Sequence, residues 1–198
     1  MAGTGDGYIN FFEILGLDED AKPGEVRKIY RRRMKELVGE IARVEITQQR
    51  RARYLLEMAQ LNAALLVLRE SDTRAAYWSE RQALIDLEQK WRDAAAEAND
   101  EADALRRQFD GRLQTFLSKY CEEWMLAAGQ DKECVENSHW DAAHTRHASR
   151  ILRFYRNDLY QKILERLPYA EITPPTIDWA EREQFVRSTL DERNEQLC

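Results

Sequence analysis

One short stretch of the chain gathers residues that could ligate metal or move protons. The segment "CVENSHWDAAHTRH" carries Cys134, His139, His144 and His147, and the chain has no histidine outside it. Thiolate and imidazole are good zinc donors, and His144 and His147, three apart, can share a helix face. The spacing follows no established zinc pattern. His139 and His144 would stand roughly 140° apart around a helix, which is poor for joint ligation. A metal-binding sensor or enzyme at this cluster is therefore one reading. The simpler one is a set of boundary or hydrogen-bonded side chains. No nucleophile elbow, phosphate loop or acid pair accompanies them, so neither a catalytic residue nor a cofactor is expected.

The other chemistry on offer is recognition of acidic surfaces. Arg27, Lys28, Arg31, Arg32 and Lys35 line one side of "RKIYRRRMK", and Arg146, Arg150, Arg153 and Arg156 form a second run. Either run can be a solvated helix face or a docking face for an acidic protein partner. The net charge of −6 argues against nucleic acid as the main partner, because phosphate binding needs a net basic face.

The elements that must position these residues are helices. With 43% hydrophobic and 33% charged residues the chain can bury a core under a highly charged surface. Only 8 Gly and 4 Pro interrupt it, and no run alternates apolar with polar residues, so an all-α protein is expected. Three cysteines, Cys121, Cys134 and Cys198, are an odd set at irregular spacing and make no disulfide framework. No apolar run approaches the ~20 residues of a membrane span, and "MAGTGDGYIN" lacks a signal-peptide pattern. A cytoplasmic protein without membrane contact is the expectation.

Along the chain, Phe11 to Leu17 is a short apolar block that Gly16 can close. Pro23 suits a helix start, and Val26, Ile29, Tyr30, Met34 and Leu37 then mark one apolar face. Leu55, Met58, Leu61, Leu65 and Leu68 mark another. From Ser79 to about Ala127 a stripe from Leu84 through Trp91, Phe109, Phe116 and Trp124 predicts one long helix, with Gly111 as a weak point. "AAGQDKECVENS" breaks it, with Gly129 as C-cap and Ser138 as the N-cap of a second long helix over 139–167. The two would form an antiparallel, coiled-coil-like hairpin, and their faces offer a route to a homo-oligomer. Pro168 starts a linker, and residues 178–195 predict a last helix on Trp179, Phe185, Val186 and Leu190. Three parts follow: 1–78, 79–167 and 168–198. Tryptophans left exposed on the extension would be good partner anchors.

Residues 8–78 resemble a J-domain of the DnaJ (Hsp40) type. J-domains commonly read "YYEILGV…A…EIKKAYR" and later "INEAYEVLSDPEKRAAYD". This chain has Phe11-Phe12-Glu13-Ile14-Leu15-Gly16-Leu17, Ala21, Glu25, Val26, Arg27, Lys28 and Tyr30. It later has Leu61, Asn62, Ala64, Val67, Leu68, Arg74, Ala75, Ala76 and Tyr77. The resemblance implies an antiparallel helix pair at about 23–37 and 51–69, flanked by short helices. The family's His-Pro-Asp tripeptide is absent: Val38, Gly39 and Glu40 stand in its place. Stimulation of Hsp70 ATPase is therefore not carried over. The expected function is a non-enzymatic adaptor or scaffold acting through protein–protein contact, with the J-like part kept for its shape. Its alternative is a regulator that meets Hsp70 or an active J-protein through the basic helix 23–37.

Overall fold

The computed structural model describes residues 8–42, 47–97, 100–167 and 182–183. Most of the helix expected over 178–195, with Trp179, Phe185, Val186 and Leu190, lies outside the described residues, as does Cys198. Every regular element among the described residues is helical, as composition predicts. Residues 1–167 form one compact unit and 168–198 a second; the helices named below belong to the first.

Helix α1, Phe11–Leu15, is capped by Asn10, whose side-chain oxygen accepts from the Phe12 N–H at 3.0 Å. Gly16 closes it in the left-handed region at φ 69°, where a Cβ would be strained. Helix α2, Pro23–Ile41, opens on the predicted proline, with the Glu25 carboxylate accepting the Lys22 N–H at 2.8 Å. Its face of Val26, Tyr30, Met34 and Leu37 is buried. The helix does not stop at residue 37. It runs through Val38, Gly39 and Glu40, so the residues in the tripeptide's place form its last turn.

Helix α3, Gln48–Leu68, is capped by Thr47 and becomes a core helix in its second half, where Ala59, Leu61, Ala63, Ala64, Leu65, Val67 and Leu68 are all buried. It runs antiparallel to α2: Arg27 near the start of α2 reaches Glu70 beyond the end of α3, and Tyr30 reaches Asn62.

The long helix expected over 79–127 is corrected in two ways. Helix α4, Ser71–Ala96, starts earlier, so Tyr77 and Trp78 belong to it and residue 78 lies within it. The chain then folds back, and α5, Ala102–Ser118, packs along α4. Trp91 stacks on Phe109, while Tyr77 meets Phe116 and Tyr120, so the pair is antiparallel. The apolar stripe continued across the break because alanines filled it, whereas Asn99 and Asp100 are turn formers. A π-helical turn, Lys119–Glu123, then leads into α6, Trp124–Ala128.

The expected linker after Gly129 holds helix α7, Lys132–Ser138, which Asp131 caps by accepting the Cys134 N–H at 3.0 Å. Ser138 thus ends α7. The N-cap of the last long helix, α8, Ala142–Glu165, is Asp141. On α8 one face turns inward, with Ala148, Leu152 and Ile163 buried.

One core joins these helices. Tyr77 is fully buried; its hydroxyl donates to the Ile9 carbonyl at 2.9 Å and accepts from the Phe11 N–H at 3.1 Å. A buried polar chain ties α2, α3 and α7: Tyr30 donates to Asn62 at 2.8 Å, Asn62 to Ser138 at 3.2 Å, and Ser138 to the Cys134 carbonyl at 2.7 Å. A buried carboxylate, Glu88, is held by Arg92, by Arg166 at 2.8 Å and by the Tyr8 hydroxyl. Burial, and then Glu88 itself, pushes the Tyr8 phenol well above its ordinary range, so it stays the donor.

Candidate functional site

The first half of α3, the end of α2 and the first two-thirds of α8 leave a groove of about 1330 Å³ between them. Its floor is apolar. Leu55 and Met58 are buried there, and Ile41, Tyr54, Ile151 and Tyr155 are half-buried. Phe154 stands beside them 76% exposed, the one large apolar side chain left so open among the described residues. Five arginines line the groove: Arg51 and Arg53 from α3, and Arg146, Arg150 and Arg153 from α8. Two carboxylates, Asp141 and Asp158, also line it.

The local sequence explains this arrangement. Helix α8 buries Ala148, Leu152 and, further on, Ile163, at helical spacing. Phe154 is two residues beyond Leu152 and so turns away from the core. Arg146, Arg150 and Arg153 follow spacings of four and three and share one side of the helix. Burial holds the Tyr155 phenol well above its ordinary range, so it remains a neutral hydrogen-bonding group on the floor.

The candidate metal residues are not brought together. Cys134 is buried in α7, with its thiol 3.6 Å from the Asn62 carbonyl. His139 is exposed and closes α7 in the left-handed region at φ 54°. His144 completes the cap of α8: its Nδ1 accepts the Asp141 N–H at 3.0 Å, and its own N–H donates to Asp141 at 2.8 Å. His147 is exposed on the groove wall. Among the described residues, no group of three or more His, Cys, Asp or Glu is placed to hold a metal ion. The cluster was close in sequence but is divided between two helices and the turn joining them.

The basic face of α2 is partly engaged. Arg31 pairs with Glu133 of α7 at 2.9 Å, and Arg27 lies 3.6 Å from Glu133 and 3.8 Å from Glu70. Lys28, Arg32 and Lys35 are exposed. In the second basic run, Arg156 turns inward to Glu122 at 3.2 Å, while Arg146, Arg150 and Arg153 face the groove.

Among the described residues no tryptophan is an exposed anchor, and Trp179 lies outside them. Trp91 and Trp140 are buried, and Trp78 and Trp124 are half-buried. Phe154, Tyr54, Arg51 and Arg53 line the groove without being among the residues expected from sequence. The available signal was phase: Phe154 is an aromatic residue off the apolar stripe, flanked by arginines.

No family model, curated protein or solved structure matches this chain. No helix among the described residues is long and apolar enough to cross a membrane.

Proposed function

We propose that this protein is a non-enzymatic adaptor that binds a protein partner through the groove between α3 and α8. The observation that carries the reading is Phe154, 76% exposed beside an apolar floor and bordered by arginines. Contiguous apolar surface marks interaction sites, and Phe154 extends the apolar floor of the groove; aromatic and arginine residues are the usual anchors of interfaces. The groove supplies contact area and charge. The imidazole of His144, which lines it, is occupied in capping α8.

On this reading α2 and α3 are a J-like pair retained as a scaffold. The residue resemblance over 8–78 and the antiparallel packing of α2 on α3 support it. The helical turn at Val38, Gly39 and Glu40 has no counterpart to the family's active tripeptide, so no Hsp70 stimulation is attributed to it.

A second reading, regulation of Hsp70 or of an active J-protein through α2, draws on the exposure of Lys28, Arg32 and Lys35. The pairing of Arg27 and Arg31 with Glu133 weakens it, because part of the basic face is already neutralised.

One experiment separates the two. The full chain and its F154D and R32E/K35E variants are used as baits in lysate of the source organism, with and without ATP. The adaptor reading expects a partner recovered in near-equal amount that F154D releases and R32E/K35E retains. Recovery of Hsp70 or a J-protein that only R32E/K35E releases would establish the second reading instead. Both variants change exposed residues and should alter stability by no more than about 0.5 kcal/mol.

A further inference from the structure

We infer that the partner presents an acidic amphipathic helix to the groove, a deepening that rests on the adaptor reading above. The size favours a helix over a small molecule. About 1330 Å³ exceeds the roughly 300–1,000 Å³ typical of small-molecule clefts. The groove also extends along two helices. On the α3 side it runs from Gln48 to Met58, a rise of about 15 Å, which matches roughly three turns of a docked helix. An apolar floor between two walls is the setting in which a helix places anchors at i, i+3, i+4 and i+7.

Charge selects the sign of the flanks. Arg51, Arg53, Arg146, Arg150 and Arg153 make no ion pair with a carboxylate among the described residues. The two groove carboxylates are engaged: Asp141 accepts from the His144 N–H at 2.8 Å, and Asp158 pairs with Lys162 at 2.7 Å. The patch is basic on a chain of net charge −6, so it is local rather than a reflection of the whole protein. A partner helix with Glu or Asp beside its apolar stripe would find cations on both walls, from α3 and from α8. Arginine suits this role because its planar fork can grip a carboxylate with two hydrogen bonds. Nucleic acid fits less well, since Phe154, Ile151 and Leu55 offer apolar contact where a phosphate backbone needs donors.

The test uses the full chain and two fluorescent helical peptides of about 14 residues, roughly four turns each. Both carry Leu and Phe at i, i+3, i+4 and i+7. One has Glu at the flanking positions and the other Lys. Fluorescence anisotropy should show the Glu peptide binding at least about ten-fold tighter than the Lys peptide, with affinity falling as salt rises. R150E/R153E should weaken the Glu peptide by about ten-fold or more, and F154D should abolish measurable binding, with the helical circular dichroism of both variants unchanged. Equal binding of the two peptides would overturn the inference. So would an oligothymidine that displaces the Glu peptide and is itself lost in R150E/R153E, because the site would then be a nucleic-acid site. A concentration-dependent dimer that F154D converts to monomer in sedimentation would make a second copy the occupant and overturn it as well. If neither peptide binds yet F154D still releases the captured partner, the acidic helix is wrong and the adaptor reading stands. If F154D leaves that partner in place, the groove is not the docking surface and both fall.

Discussion

Arg69 and Asp131 make a two-pronged ion pair, at 3.0 and 2.7 Å, between the end of α3 and the cap of α7. The guanidinium holds the Asp131 carboxyl down to about 2, with burial opposing and the Cys134 N–H assisting. A depressed carboxylate contributes stability that is present above its unfolded value, about 3.9, and is lost as pH falls through the folded value. D131N keeps an acceptor for the cap but loses the charge. It should cost about 1–2 kcal/mol at neutral pH, and the gap from wild type should close between about pH 4 and 2 in urea titrations. At the same scale, burial pushes the thiols of Cys121 and Cys134 far above the ordinary range, and neither is exposed. Mass spectrometry after alkylation should find both unmodified in the native chain and both modified in denaturant. Cys134 shows what a sequence leaves unsaid about a residue. A cysteine near three histidines invites a metal reading, yet its thiol faces the α3 backbone, a fact of packing invisible in local spacing.

Gly111 and Gly129 separate two demands that helices make on glycine. At Gly111, within α5, an added Cβ meets nothing within 4 Å, so G111A should stabilise by about 0.5–1 kcal/mol and raise the melting temperature. At Gly129 a Cβ would stand 2.6 Å from the Trp140 indole nitrogen. That indole is buried and donates to Thr145 at 3.0 Å. G129A should therefore cost about 1–3 kcal/mol and shift the tryptophan emission. Periodicity marked α2 and α8 because each buries one face, and it marked the leucine stripe of α3 although the second half of that helix is buried nearly all round. Over 79–127 it failed because α4 and α5 pack on each other and carry the same kind of face, so the stripe passes through the fold-back unchanged. Phase alone does not report direction. The groove was half legible: the arginines of α8 were singled out from sequence, but their partners on α3 are about a hundred residues away, and only the fold makes them neighbours.

Across the whole molecule, the N-terminal residues belong to a core completed much later in the chain. Tyr8 packs edge-on against Phe109 and Phe116, and Phe11 against Tyr120. A fragment of residues 1–78 would leave Tyr77, Phe11 and Tyr8 without these covers. It should show no cooperative urea transition, where the full chain shows a sigmoidal one by circular dichroism. The same wrapping imposes an order on biosynthesis. Phe11 and Phe12 leave the ribosome roughly 110 residues before Tyr120, which at about 5–20 residues per second is a wait on the order of 5–20 s. During that interval the nascent chain carries an aromatic segment that lacks part of its cover. The seating of this segment is thus a late event of synthesis, and translation speed sets how long it stays open to chance encounters.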